Sequence, residues 1–228
     1  MALTLYHRPF CPQSRLVRLV LAERGLDVTL IEEKPWERRE DFLRLNPEGT
    51  TPVFIDEDGT VVPGAEVIIA YLDETLAAER PLMPEDPRAR VEVRRLVHWF
   101  VRKFFEEVSG LLQVEKIDKR FMSVDVGGGA PDTGAIRAAR ANIRYHLSYV
   151  GWLAAKKDWL AGPEMTYADL AAAAHLSVAD YLGDVPWAEN EAAKEWYARV
   201  KSRPSFRLLL ADRVAGMPAS ASYADLDF

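Results

Sequence analysis

Cysteine is almost missing from this 228-residue sequence. Cys11 stands alone, which excludes an internal disulfide and suits a reducing compartment. No apolar stretch approaches the roughly 20 residues that cross a bilayer. The opening Met-Ala-Leu-Thr-Leu-Tyr-His-Arg-Pro also lacks the charged start and apolar run of a secretory signal. Both features point to a cytoplasmic protein without direct membrane insertion. Positive charge is outnumbered, 29 Lys and Arg against 35 Asp and Glu, and the formal net charge of -6 argues against sequence-independent binding to nucleic acid. The basic residues that do cluster (Arg94, Arg95, Arg102 and Lys103; Lys116, Lys119 and Arg120) alternate with acids at helical spacing and read as solvated helix faces. The four histidines, His7, His98, His146 and His175, share no ligand spacing with Cys11. They read as polar-edge or helix-surface residues, and no metal site is expected.

What is present is an ordinary globular balance, 49% hydrophobic and 28% charged, in a chain long enough to bury a core without covalent staples. Residues 3–7 alternate as a strand, and a helix follows a turn at 9–13 and stops at Gly25. Residues 27–31 make a second strand, and the polar segment 36–45 a short helix closed by Asn46-Pro47. A third strand opens at Thr51-Pro52-Val53, Asp58-Gly59 turns the chain back into a fourth, and a helix covers 65–76. The order β-α-β-α-β-β-α is that of a thioredoxin-like unit. Prolines 81, 84 and 87 mark a linker.

Only helices follow. One runs from 88 to about 120 with Val91, Leu96, Phe100, Phe104, Val108, Leu111 and Leu112 on an apolar stripe, then a glycine-rich loop over 122–131, then helices at 133–156, from 165, at 191–201 and at 206–212. Thr166 and Asp169 have capping-box spacing, and the alanine- and leucine-rich run 170–175 predicts a buried central helix. No strand precedes Gly127-Gly128-Gly129 and no Lys-Ser/Thr follows, so a phosphate cradle is not supported there. The domain reading is a thioredoxin-like domain over 1–77, a linker over 78–87, an all-helical domain over 88–215 and a C-terminal tail over 216–228.

Several motifs in this order resemble the glutathione transferase family: Leu5-Tyr6-His7-Arg8-Pro9-Phe10-Cys11-Pro12-Gln13-Ser14-Arg15, Asn46-Pro47-Glu48-Gly49-Thr50-Thr51-Pro52-Val53, Tyr71-Leu72, Leu160-Ala161-Gly162 ahead of Thr166-Tyr167-Ala168-Asp169, and Trp196 before Arg203-Pro204. The resemblance implies the two-domain transferase fold, α/β plus all-α, with a cis bond at Thr51-Pro52 that turns the Val53 backbone toward a bound thiol. It places Cys11, or secondarily Ser14, where the family activates glutathione. A thiol at a helix N-terminus is stabilised as thiolate and favours mixed-disulfide chemistry. The alternative for Cys11 is a small buried residue at a tight turn, and the sequence leaves both open.

The other half of the family's site departs from the pattern. Family members carry Glu-Ser seven residues before Tyr-Leu, to hold the γ-glutamyl end of glutathione. Here those positions are Gly64-Ala65, with Glu66 one residue out of register. A bound γ-glutamyl group would lose several charge-assisted hydrogen bonds worth about 1.5–3 kcal/mol each. Two such losses weaken binding by about a hundredfold or more. Glutathione is therefore the alternative cofactor, with Pro52, Val53, Gly64 and Ala65 as its alternative contacts, and the leading expectation is no cofactor.

The C-terminal third, from Ala171-Ala172-Ala173-Ala174-His175 through Val185-Pro186-Trp187 to Tyr223-Ala224-Asp225-Leu226-Asp227-Phe228, resembles more particularly the FtsZ-binding cell-division branch of this superfamily in alphaproteobacteria. That likeness runs end to end. It implies a non-catalytic cytoplasmic homodimer that binds FtsZ polymer at the division site and influences filament curvature, bundling and constriction. The acidic-aromatic ending makes Tyr223, Asp225, Leu226, Asp227 and Phe228 candidate partner contacts, against the alternative of a disordered or self-docked tail. Trp36, in a loop where no core demands it, is a further candidate anchor. A two-fold molecule would present the same patch twice and act through avidity. Two other readings stay open: a glutathione-dependent transferase or thiol oxidoreductase using Cys11, and a structural or stress-adaptor protein with another partner.

Overall fold

The computed structural model describes residues 2–76 and 81–225. Four short strands form one mixed sheet in the order β2-β1-β3-β4, from β1 (Thr4–His7), β2 (Thr29–Glu32), β3 (Val53–Ile55) and β4 (Val61–Pro63). β1 runs parallel to β2 and antiparallel to β3, and β3 pairs antiparallel with β4 across the Asp58-Gly59 turn. The parallel pair needs a crossover, which is α1 (Pro12–Glu23). Pro12 opens α1 at the first helical position, where a missing N–H costs nothing. Leu16, Val17, Leu19, Val20 and Leu21 are all buried, so α1 has no wet face over its middle turns. The predicted short helix resolves into a tight turn at Pro35–Glu37 and α2 (Glu40–Leu45), whose Phe42 packs on Tyr6 at 5.7 Å. α3 (Ala65–Thr75) closes this half.

The helical half begins with α4 (Pro87–His98), capped by the Asp86 carboxylate on the Arg88 amide. The single helix expected over 88–120 differs from the observed one in pitch and length. After His98 it widens into π-type turns over Trp99–Ser109, returns to α geometry in α5 (Gly110–Lys116) and stops there. The Gly110 amide donates to the Phe105 carbonyl five residues back. A Cβ at position 110 would lie 2.8 Å from that oxygen, so the wide turn requires glycine. Asp118–Arg120 then turns tightly, and the Asp118 side chain folds back inside.

α6 (Thr133–Ala154) is capped by Asp132, and α7 (Tyr167–Tyr181) by the Thr166/Asp169 box. Every residue of α7 is buried, as its composition predicts. The Asp169 carboxylate accepts from the Thr166 amide at 3.0 Å, the Leu160 amide at 2.9 Å and the Trp196 indole at 2.9 Å. Burial pushes its pKa up while these donors pull it down. α1 packs on α7, so one continuous core joins the sheet side to the helical side. Arg18 to Asp212, Arg24 to Asp73 and Tyr167, and Arg203 to Glu23 sit around this junction.

After α8 (Glu191–Lys201) come a turn at Pro204–Phe206, α9 (Arg207–Leu210) and α10 (Ala221–Ala224). The tail read over 216–228 is docked on its own domain as far as Asp225. Ser220 caps α10, its amide donates to the Tyr181 carbonyl at 3.0 Å, and Tyr181 donates to the Met217 carbonyl at 2.7 Å. The histidine expectation is also corrected. Only His98 is exposed; His7, His146 and His175 are buried. His146 accepts from the Trp99 indole on Nδ1 at 3.1 Å, so its Nε2 donates to Glu107 at 2.8 Å. No helix among the described residues is long and apolar enough to cross a membrane.

Candidate functional site

Two places compete, and they share the loop between β1 and α1. The first is the thiol position. Cys11 sits just before α1 with extended backbone angles, and its side chain accepts nothing from the helix amides. The thiol is buried and turns instead toward the Thr51 carbonyl, 3.7 Å away. Ser14 is fully buried and its hydroxyl accepts from the Arg8 amide at 3.3 Å, which ties the loop to the helix that follows it.

The peptide bond between Thr51 and Pro52 is cis, and the Pro52 carbonyl receives the Gly64 amide at 3.0 Å. Val53 is buried in β3. The elements therefore bring Cys11, Pro52 and Gly64 to one corner of the sheet. Gly64 has φ 87° and ψ 137°, a region open only to glycine, and Ala65 is buried with no polar side-chain atom. Glu66, the out-of-register carboxylate, faces solvent beside His98 at 3.6 Å. Nothing in the side chains of 64 and 65 can receive an ammonium or hold a carboxylate.

The second place is a cleft of about 640 Å³ where the two halves meet. One wall carries Arg8, Trp36 and Lys34; the other carries Ile117, Phe121 and Val214. Arg8 organises it. Its Nη1 donates to Asp118 Oδ2 at 2.9 Å and its Nη2 binds the other carboxylate oxygen, a two-point pair 110 residues apart in the chain. The indole of Trp36 lies across the same guanidinium, 4.5 Å from its centre. Asp118 takes a third bond from Gln113 at 3.0 Å.

Stacking on a guanidinium already fixed by a carboxylate gives the indole a defined seat, so Trp36 is half-buried yet lines the opening. Below, Glu33 is buried under Arg39. Phe121 is 48% exposed on the far wall. The cleft thus offers aromatic surface beside guanidinium groups that Asp118 and Glu33 already pair, with Glu32 and Glu37 on the same lining.

The floor of the cleft connects to the tail. Phe10 lies 4.4 Å from Tyr181, and Tyr181 lies 5.1 Å from Tyr223. Tyr223, expected among the partner contacts, is 1% exposed. Its hydroxyl accepts from the buried Arg15 at 2.5 Å and donates to the Leu209 carbonyl at 2.6 Å. That corrects the sequence reading: the residue serves the core because a buried arginine needs its oxygen. Asp225 is exposed at the end of the described chain, and Leu226, Asp227 and Phe228 lie outside the described residues. Sequence reasoning missed Arg8, Asp118 and Phe121. Arg8 stood inside a quoted motif, but nothing marked its partner.

Models of the glutathione S-transferase N-terminal domain and C-terminal domain match residues 5–80 and 136–204. FtsZ-localized protein A of Caulobacter vibrioides is 46% identical over 99% of this chain and 98% of its own length. The solved structure of FzlA from C. crescentus superimposes with a TM-score of 0.92 at 46% identity, covering 100% of both chains. A glutathione S-transferase from Sinorhizobium meliloti superimposes with a TM-score of 0.96 at 51% identity, again over 100% of both.

Proposed function

We propose that this chain, which belongs to the glutathione S-transferase family, is an FtsZ-associated protein of bacterial cell division that works by binding and not by catalysis. The observation that carries this reading is the 46% identity, over almost the full length of both chains, to a protein named for its localisation with FtsZ. The corner at Gly64 and Ala65 supports the non-catalytic part. A glycine-only backbone and a buried alanine replace the side chains that would anchor a γ-glutamyl group. We place the filament contact at the Trp36 cleft and at the segment that follows Asp225. Acting there in the cytoplasm at the division site, the protein would set filament curvature, bundling and constriction.

The homodimer belongs to the same proposal. Val67 of α3, Val91 of α4, and Tyr145 and Trp152 of α6 are more than half exposed. A second copy is the partner that would cover them, and a two-fold pair would engage polymer at two points. Co-sedimentation with FtsZ polymer assembled on GTP tests the function. The protein should pellet with polymer at micromolar concentration and Trp36→Ala should remain in the supernatant; absence of pelleting by the unaltered protein rejects the reading.

A second reading rests on the position of Cys11 next to the cis Pro52 and on the relative from S. meliloti named as a transferase. It predicts retention on immobilised glutathione and a thiol-transfer activity that Cys11→Ser abolishes.

A further inference from the structure

Along the continuous helix from Pro87 to Lys116 the buried positions recur every four residues, a spacing that α geometry does not have. Leu96, Phe100, Phe104, Val108 and Leu112 are all 0% exposed. A second buried row runs beside them through Val93, Val97, Val101, Ser109 and Gln113, with Phe105 half-buried in its gap. Four residues of α-helix overshoot a full turn, so unbroken α geometry would carry Leu112 about 160° round from Leu96. The eleven wide residues Trp99–Ser109 turn more slowly. At about 4.4 residues per turn they bring Leu112 back to within about 40° of Leu96. The wide turns cancel the drift, and both ends of the helix face the same way.

The far end faces the cleft. Gln113 donates to Asp118, Asp118 holds Arg8, and Ile117 packs with Phe10 and Tyr181. Rotated by about 160°, these groups would point away from the loop between β1 and α1, and Trp36 would lose its fixed guanidinium. Only two of the eleven wide residues are exposed, Arg102 and Glu106, and they pair with each other at 3.7 Å. Without them nine of the eleven remain. Nine residues at α pitch turn through about 900° and span about 13 Å, as the eleven wide ones do. Phe100, Phe104, Val108 and Leu112 would then stand three, three and four apart, the spacing of an ordinary amphipathic helix.

We propose that Arg102 and Glu106 are surplus residues that the helix absorbs by widening, and that this widening sets the angle at which Asp118 meets Arg8. Gly110 keeps the wide form, because a Cβ there would lie 2.8 Å from the carbonyl oxygen of Phe105, to which its own amide donates. It is a positioning residue for the Trp36 cleft, acting through Asp118 and Arg8. The consequence for partner binding rests on the proposed FtsZ association; the angular role does not.

The test compares four proteins: the unaltered chain, Gly110→Ala, a deletion of Arg102 and Glu106, and that deletion carrying Gly110→Ala. Each is made with fluorotryptophan, and the Trp36 fluorine resonance, identified by its loss in Trp36→Ala, reports the seat on Arg8. Co-sedimentation with FtsZ polymer reports binding. Gly110→Ala should move the Trp36 resonance as Arg8→Ala does and bind at least about tenfold more weakly. The deletion should leave the resonance in place and bind within about twofold of the unaltered chain. In the deleted chain Gly110→Ala should change neither, because an α-helix takes alanine more readily than glycine. A glycine needed only for local packing would not be relieved by removing two residues elsewhere.

A deletion that displaces the Trp36 resonance overturns the proposal, and so does Gly110→Ala with the resonance in place. If Gly110→Ala does not fold, the deleted chain carrying it decides: without a native Trp36 resonance there, the proposal is overturned. If the unaltered chain does not pellet, the FtsZ reading falls and the resonances still decide the angular role. If it pellets and Gly110→Ala binds as strongly, the FtsZ reading stands and the positioning role is overturned.

Discussion

The indole of Trp36 rests on the guanidinium of Arg8 at 4.5 Å, and that guanidinium is locked by two bonds to Asp118 from the other half of the molecule. The half-buried indole of the cleft is therefore held by an ion pair between the sheet side and the helical side. Arg8→Ala should lower stability by about 2–4 kcal/mol in urea unfolding, because Asp118 stays nearly buried and loses its charged partner, keeping the Gln113 amide at 3.0 Å. It should weaken FtsZ co-sedimentation as much as Trp36→Ala does. Trp36→Ala should change stability by only about 1 kcal/mol. If Arg8→Ala binds normally, the stack does not seat the indole.

Asp169 accepts from two backbone amides, a hydroxyl and an indole in a fully buried position. Asp169→Ala leaves all four donors without it and should cost about 3–5 kcal/mol. Asp169→Asn keeps one acceptor oxygen for Leu160 and Trp196 but turns an N–H₂ toward the Thr166 amide. Its cost should be smaller, about 1–3 kcal/mol. Chemical denaturation of both variants gives the comparison.

Acid should unfold the protein partly through His175. Burial alone pushes this imidazole down from 6.5 to about 3. The unfolded chain then binds a proton between those two values that the folded chain refuses, so stability falls as pH drops from 6.5 toward 3. His175→Asn removes this component while keeping an acceptor for the Ser109 hydroxyl, which lies 2.9 Å from Nδ1. Asp169 and Asp180 act in the opposite sense, since burial raises their pKa values. The histidine contribution is thus the difference between the two proteins in unfolding free energy at pH 7 and pH 5. Equal losses in both would refute it.

Glutathione should show no saturable heat in a calorimetric titration up to millimolar concentration. Ala65→Ser should not restore binding, because position 64 has a backbone that a glutamate side chain disfavours. Saturation by the unaltered protein below about 0.1 mM, a binding free energy of roughly -5.5 kcal/mol, would return the enzyme reading to first place.

Local signals made much of this legible. The β-α-β-α-β-β-α order, the cap at Thr166 and Asp169 and the alanine-rich buried helix all arise from neighbours within a few residues, and each was readable; the cis bond before Pro52 was expected only from the family resemblance. The pairs that matter for the cleft are not local. Arg8 meets Asp118 and Arg15 meets Tyr223 across 110 and 208 positions, and no periodicity links them. Tyr223 read as a surface residue because its neighbours are small and acidic; only the buried Arg15 explains why it turns inward. The same holds for His146, whose burial follows from Trp99 and Glu107 on another helix.

α1 has the sheet on one side and α7 on the other, and its apolar residues belong to a single core. The two halves are therefore not separable modules. Neither could melt and leave its neighbour standing, since the departing half would strip a helix of one of its two coverings. Thermal denaturation should be a single all-or-none event, and damage introduced anywhere along that helix should be felt equally by spectroscopic probes in both halves.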